Sequence, residues 1–155
     1  MMRRILVGFE RRIDEKHIDV SIDFALDPCF ALGDVRRINQ VVSNLIDNAV
    51  KFMNDEGGIL TVRTQRTDRG VRFSVQDNGS GVAEADLPHL FDRFYKADKA
   101  HTSGMGTGLG LSICRSIIQQ HGSRINVVSR PGETVFSFEL PQAEPPQRLL
   151  TDGTV

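Results

Sequence analysis

The sequence predicts an α/β two-layer sandwich: a mixed, mostly antiparallel sheet with helices on one face. Three observations carry this prediction. The segment "FALGDVRRINQVVSNLIDNAVKFM" places Ile38, Val41, Val42, Leu45, Ile46, Ala49, Val50 and Met53 at the three-to-four spacing of one long amphipathic helix. The segment "GGILTVRTQRTDRGVRFSVQDNG" alternates apolar and polar residues on both sides of the turn "TDRG", as a hairpin does. Helical and extended patterns then follow one another as helix, strand, helix, strands, helix, strands, an order that suits helices gathered on one face of an antiparallel sheet.

The elements follow in order. Residues 1–16 are expected to form an N-terminal helix or linker from a preceding domain, with Phe9 and Ile13 four apart in "ILVGFERRIDEK". The domain proper is assigned to residues 17–141. It opens with "HIDVSIDF", where Ile18, Val20, Ile22 and Phe24 alternate as a half-buried strand. Asp34 stands where the long helix needs an N-cap. Beyond the hairpin, "EADLPHLFDRFYKADKAHTSGMGTG" lacks sustained periodicity and is rich in glycine and small polar residues, which predicts a long loop. From Gly108 a second helix, "GLSICRSIIQQHG", runs to a stop at Gly122, and "RINVVSR" and "TVFSFELP" supply two further strands. Residues 142–155, "QAEPPQRLLTDGTV", are Pro-rich and polar and are expected to form a disordered tail.

Composition narrows the function classes. With 155 residues, 39% of them hydrophobic, the chain can bury one core. A net charge of -1 gives no general attraction to nucleic acid, which is not an expected partner. Cys29 and Cys114 lack paired spacing and are expected as thiols in a reducing compartment, the cytoplasm. No apolar run approaches the roughly 20 residues that cross a bilayer, so any membrane attachment would lie outside this chain.

Three stretches carry candidate chemistry. "DNGSGV", residues 77–82, ends an alternating strand with Asp-Asn-Gly, which is either a surface turn or a carboxylate at the mouth of a pocket. On the long helix, Asn44, Asn48, Lys51 and Phe52 form a polar stripe beside the apolar face. An amide oxygen there could complete the coordination of a phosphate-bound Mg²⁺ and a lysine could meet phosphate charge, though a solvated helix edge has the same composition. Asp47 lies about 100° around the helix from Asn48 and is expected as a surface charge. "SGMGTGLGL" places glycines at alternate positions up to a helix start, where close backbone approach, free N–H groups and the dipole suit a polyphosphate; a flexible linker is equally glycine-rich. The chain contains neither GxxxxGK[ST] nor GxGxxG.

Taken together, "NLIDNAVKF", "DNGSGV", "LFDRFY" and "GTGLGLSI" resemble, in that order, the N, G1, F and G2 boxes of the ATP-binding catalytic domain of sensor histidine kinases. The resemblance spans roughly residues 5–141 and implies the Bergerat ATP-binding fold, shared with DNA gyrase, the related heat-shock chaperones and MutL. It implies that Asp77 reads the adenine amine, with Gly79 and Gly81 leaving room for the base and Thr134 assisting through an ordered water. By the same pattern Asn48 coordinates Mg²⁺ and acts in catalysis with Lys51, which contacts phosphate, while Asn44 supports the phosphate side and Phe52 packs beside adenine. Phe91 and Phe94 would hold the lid, with ordinary core packing as the alternative for both, and Gly106, Thr107, Gly108, Leu109 and Gly110 would approach the phosphates.

The histidines stand in "EKHID", "LPHLF", "KAHTS" and "QQHGS", none directly followed by an acidic residue as in the family's phosphoacceptor motif. The resemblance therefore implies that the γ-phosphoryl group goes from ATP to a histidine on a separate helical dimerisation and phosphoacceptor domain, then to a response regulator. Two other classes are weighed against this. A Bergerat ATPase would need a glutamate base near Asn44, where the neighbours are Val42, Ser43, Leu45 and Ile46. A nonenzymatic nucleotide-binding module that regulates by contact would look the same in sequence.

Overall fold

The structure is a computed structural model that describes residues 2–25, 29–54, 56–95 and 108–145. Among the described residues four α-helices, α1 (Met2–Val7), α2 (Glu10–Glu15), α3 (Val35–Phe52) and α4 (Gly110–Gln120), accompany seven strands: β1 (Asp19–Asp23), β2 (Phe30–Ala31), β3 (Ile59–Thr67), β4 (Gly70–Asp77), β5 (Ile125–Arg130), β6 (Glu133–Leu140) and β7 (Gln142–Ala143). Five strands make one sheet in the order β1-β3-β4-β6-β5, parallel only between β1 and β3. The helices α3 and α4 pack on each other and over β4 and β5. This is the mixed, mostly antiparallel two-layer sandwich that the patterning predicts.

The long helix forms as its sequence dictates. Asp34 caps it, accepting from the Arg36 and Arg37 N–H groups at 2.9 and 3.1 Å; such a cap stabilises a helix by about 1 kcal/mol. Ile38, Val41, Val42, Leu45, Ile46, Ala49 and Val50 are all buried. They meet the inward rows of the sheet, Leu60 and Val62 on β3, Phe73 and Val75 on β4, Phe136 and Phe138 on β6. His121 ties the end of α4 to the start of α3, since its Nε2 accepts the Asp34 N–H at 3.0 Å and its Nδ1 donates to the Ile117 carbonyl at 2.7 Å.

Several expectations change in the fold. The helix expected over 5–16 is broken at Gly8 and Phe9, whose N–H groups turn back to Ile5 and Leu6, so that α1 and α2 are separate. Ile5, Leu6, Phe9 and Ile13 nonetheless pack against the core. The strand over 17–24 shortens to β1 and is exposed at every position rather than half-buried. Val20 and Ile22 do align with buried Leu60 and Val62, but β1 is the sheet edge, and they stay 36% and 40% exposed. The second helix begins at Gly110 rather than Gly108, whose φ of 71° is not helical. Gln142 and Ala143, expected in the disordered tail, pair antiparallel with Ala31 and Phe30 as strand β7; residues 146–155 lie outside the described residues.

Candidate functional site

The site is built around one row of the sheet. The register aligns Leu60 with Asp77, Asp77 with Thr134, and Thr134 with Ser129. Directly opposed residues share a face, so this row belongs to the inner, helix-covered side. Asp77 and Thr134 are the two buried polar side chains among the described residues, 5% and 4% exposed. Burial pushes the Asp77 carboxyl up from its ordinary value, against the opposing pull of the Gly79 N–H that Oδ1 accepts at 2.9 Å. An ionisable group held this way beneath a loop is the signature of a binding site more often than of a turn.

The 78–82 loop is pinned on both sides. Asn78 accepts the Ile59 N–H at 2.7 Å and donates to the Gly57 carbonyl at 2.9 Å. Gly79 accepts from the Gly132 N–H at 3.1 Å, and Val82 donates to Ser129 Oγ at 2.8 Å. Both glycines are required by backbone contact. A Cβ on Gly79 would lie 2.8 Å from the Phe52 carbonyl oxygen, and one on Gly81, at φ 82°, 2.5 Å from that of Arg130. The loop thus abuts the end of α3, where Phe52 is 45% exposed beside it.

The polar stripe of α3 leads from there to the start of α4. Phe52 stands eight positions after Asn44 on this helix, about 12 Å along the axis. Asn44 Nδ2 donates to the Gly110 carbonyl at 3.3 Å, joining α3 to the first residue of α4. Among the described residues no side chain caps that helix, with Leu109 at the cap position, which leaves its leading N–H groups without a side-chain acceptor there. Asn48 is half-buried, and its amide makes no hydrogen bond among the described residues. The Lys51 ammonium is held 2.6 Å from Asp47 Oδ2. Asp47, expected as a plain surface charge, also takes Arg12 at 2.6 Å. Burial raises its carboxyl, but the Lys51 and Arg12 hydrogen bonds outweigh that and hold it below the usual range.

The two aromatic candidates part company. Phe91 packs edge-on against Phe136 at 6.2 Å and belongs to the core margin, whereas Phe94 is 72% exposed with φ 61°. Phe94 donates its N–H to the Gly108 carbonyl at 3.0 Å, and a Cβ on Gly108 would lie 2.8 Å from the Phe94 backbone. Gly106 and Thr107 lie outside the described residues. Ser129 lies outside every motif, and Asn78, inside "DNGSGV", carries no role in the motif reading. Ser129 was available as the third inward position of Ile125, Val127, Ser129, but its importance depends on the strand pairing.

The comparisons with known proteins bear on family and fold. The sequence profile of the histidine kinase-, DNA gyrase B-, and HSP90-like ATPases matches residues 33–144. The sensor protein SrrB of Staphylococcus aureus (strain NCTC 8325 / PS 47) is 33% identical over 146 residues, 93% of this chain and 25% of SrrB; the chain thus spans about a quarter of such relatives. The nucleotide-free catalytic domain of the histidine kinase ThkA superposes with a TM-score of 0.79 at 32% identity, covering 92% of each chain. Full-length ShkA in complex with AMPPNP gives 0.80 at 31% identity, over 92% of this chain and 29% of that one. ThkA in complex with the response regulator TrrA gives 0.76 at 31% identity, over 92% of this chain and 39% of that one. The match over most of the chain, in sequence and in fold, shows that it belongs to the histidine kinase-, gyrase B- and HSP90-like ATPases, as the ATP-binding catalytic domain of a sensor histidine kinase.

Proposed function

We propose that this domain binds ATP along the face of α3, with the adenine at Asp77 and Thr134 and the phosphates at the α4 N-terminus, and presents the γ-phosphoryl group to a histidine of a separate helical domain. The observation that carries the proposal is the pairing of two ends on one helix: a buried carboxylate at the Phe52 end and, tied to Asn44 at the other, a helix N-terminus that no side chain caps among the described residues. A carboxylate accepts from the adenine amine, and helix N–H groups donate to phosphate oxygens.

Mg²⁺ fits the donor set. Among the described residues no three His, Cys, Asp or Glu side chains cluster as a metal site, so the protein's contribution would be the unpartnered amide of Asn48, with phosphate oxygens as the other ligands. When bound, the ion neutralises charge on the β- and γ-phosphates. Lys51 supplies a further positive charge once it shifts from Asp47 toward the ligand. In the transfer, the bond between the γ-phosphorus and the bridging oxygen breaks and a phosphorus–nitrogen bond forms. ADP leaves with that oxygen, and the imidazole proton passes to a base on the acceptor domain. Such a step needs positioning and charge stabilisation rather than a covalent enzyme intermediate.

Hydrolysis by a carboxylate on α3 finds no support, because Asp47 is engaged by both Arg12 and Lys51. We further propose a response-regulator aspartate as the next acceptor and the cytoplasm as the compartment. Among the described residues no helix is long and apolar enough to cross a membrane.

Radiolabelled ATP with Mg²⁺ tests the function. The chain alone should take up little label: His121 is bonded into the fold, His89 pairs with Asp92 and His17 sits at a turn, while His101 lies outside the described residues. Adding the helical acceptor domain of the parent protein should place acid-labile, base-stable label on that partner. Strong self-labelling, acid-stable label, or full-rate hydrolysis without a partner would refute the proposal.

A further inference from the structure

For Lys51 to meet phosphate it must leave Asp47, and that carboxylate already carries a second cation. The Arg12 guanidinium donates to Asp47 Oδ1 at 2.6 Å, while the Lys51 ammonium stands 2.6 Å from Oδ2. Lys51 and Asp47 are one turn apart on α3, a spacing at which such pairs form in any helix. Arg12 has another origin. It comes from α2, 35 residues away in sequence, and lies outside residues 33–144 that the family profile matches. Contacts besides the Asp47 bond fix α2 in place: Phe9 and Ile13 pack against the core, and Lys16 Nζ donates to the carbonyl of Met53, the C-cap of α3, at 3.2 Å. The guanidinium also lies over the Phe9 ring, 5.9 Å from its centroid. Arg12 is thus held at Asp47 by its own element. A carboxylate carries one negative charge, and shared between two cations it binds each less strongly than it would bind either alone, because the cations repel one another. All three side chains are partly buried, so salt screens these effects less than at an open surface. When Lys51 turns away, Arg12 leaves Asp47 paired; without Arg12 the same movement strips a partly buried carboxylate of both cations.

We propose that Arg12 is a positioning residue for the phosphate end of the site: by pairing with Asp47 it lowers the cost of moving Lys51 from that carboxylate to the nucleotide phosphates. The α2 segment is thereby coupled to phosphate binding. ATP binds more tightly when α2 is docked on α3, and by reciprocity ATP favours the docked α2. The inference rests on the assignment of Lys51 to the phosphates above and adds to it the residue that releases Lys51. Two simpler roles predict different behaviour. Mere support of the fold by Arg12 would weaken the adenine end as well, and a long-range attraction of Arg12 for phosphate would act without Lys51.

The test compares ATP with adenosine, which lacks phosphates, in calorimetric titrations of the 155-residue chain with Mg²⁺ present. Arg12→Ala should lower ATP affinity about two- to fivefold, the weight of one partly exposed ion pair, and leave adenosine unchanged. Adding Asp47→Asn to Arg12→Ala should return ATP affinity to that of the unmodified chain, because the carboxylate that holds Lys51 is gone. In a Lys51→Ala background Arg12→Ala should have no effect on ATP. A folded Arg12→Ala protein with undiminished ATP affinity overturns the inference, as does an equal loss for adenosine. So does a loss that persists in full when Lys51 is replaced, or one that Asp47→Asn fails to restore. Should Arg12→Ala fail to fold, Arg12→Gln, which keeps the aliphatic stem and loses the charge, takes its place with the same outcomes. An unmodified chain that binds neither ligand refutes the nucleotide site itself, which keeps the two failures apart.

Discussion

Replacing Asp77 by asparagine should move affinity and stability in different directions. Asp77 is buried at the end of β4, its one hydrogen bond among the described residues being the 2.9 Å bond from the Gly79 N–H. Asparagine can keep that bond through its carbonyl oxygen, so the loop has no reason to leave its place. The ligand loses more, because a charged acceptor for the adenine amine becomes a neutral amide. A hydrogen bond to a charged group contributes about 1.5 to 3 kcal/mol, so ADP affinity should fall about ten- to a hundredfold. The pH dependence gives a second, independent check. Burial raises the Asp77 carboxyl, so folding disfavours its ionised form. The unmodified chain therefore loses stability as pH rises from the ordinary aspartate range, about pH 4, through the raised value, and a non-titrating asparagine loses none at this position. Melting temperatures of the two proteins without nucleotide, measured across that window, should diverge in favour of the variant as pH rises. A folded variant with unchanged ADP affinity would refute the role in base recognition, and a melting difference that moves the other way with pH would refute the burial argument.

Asn48→Ala should remove the gain in ATP affinity on adding Mg²⁺ while leaving ADP binding without Mg²⁺ nearly unchanged, since Asn48 belongs to the polar stripe of α3 and Asp77 to the end of β4; titrations with and without the ion decide this, and a preserved Mg²⁺ response would assign the ligand elsewhere. The two glycines at the start of α4 should separate in denaturant unfolding. Gly108→Ala places a Cβ 2.8 Å from the Phe94 backbone at a φ of 71° and should destabilise by more than about 1 kcal/mol. Gly110→Ala meets nothing nearer than Asn44 Cγ at 4.0 Å and should stabilise by up to about 1 kcal/mol. Equal effects at the two positions would contradict this account of the junction.

The legible parts of this protein are those written in local periodicity. The three-to-four spacing from Ile38 to Val50 settles α3 and its buried face, because a helix stripe must be covered whatever covers it. Asp34 marks its start, and the alternation on either side of "TDRG" settles the β3-β4 hairpin. The motif order points to the family, and the strand ending in Asp77 to a carboxylate near a pocket. What depends on position in the sheet was not legible. Val20 and Ile22 carry the same alternation as Val62 and Val75, yet they lie on an edge strand and stay exposed, and edge and interior strands are distinguished only once the strand order exists. The break at Gly8 and the pairing of β7 with β2 arise from packing and pairing that single segments do not encode. Sequence alone cannot place Asp47 against Arg12 across 35 residues, so its double ion pair reads as an ordinary surface charge. The Asp77–Thr134–Ser129 row lies between the two cases: Asp77 is marked by its own segment, but only antiparallel register sets it on a single face with Thr134 and Ser129 of two other strands.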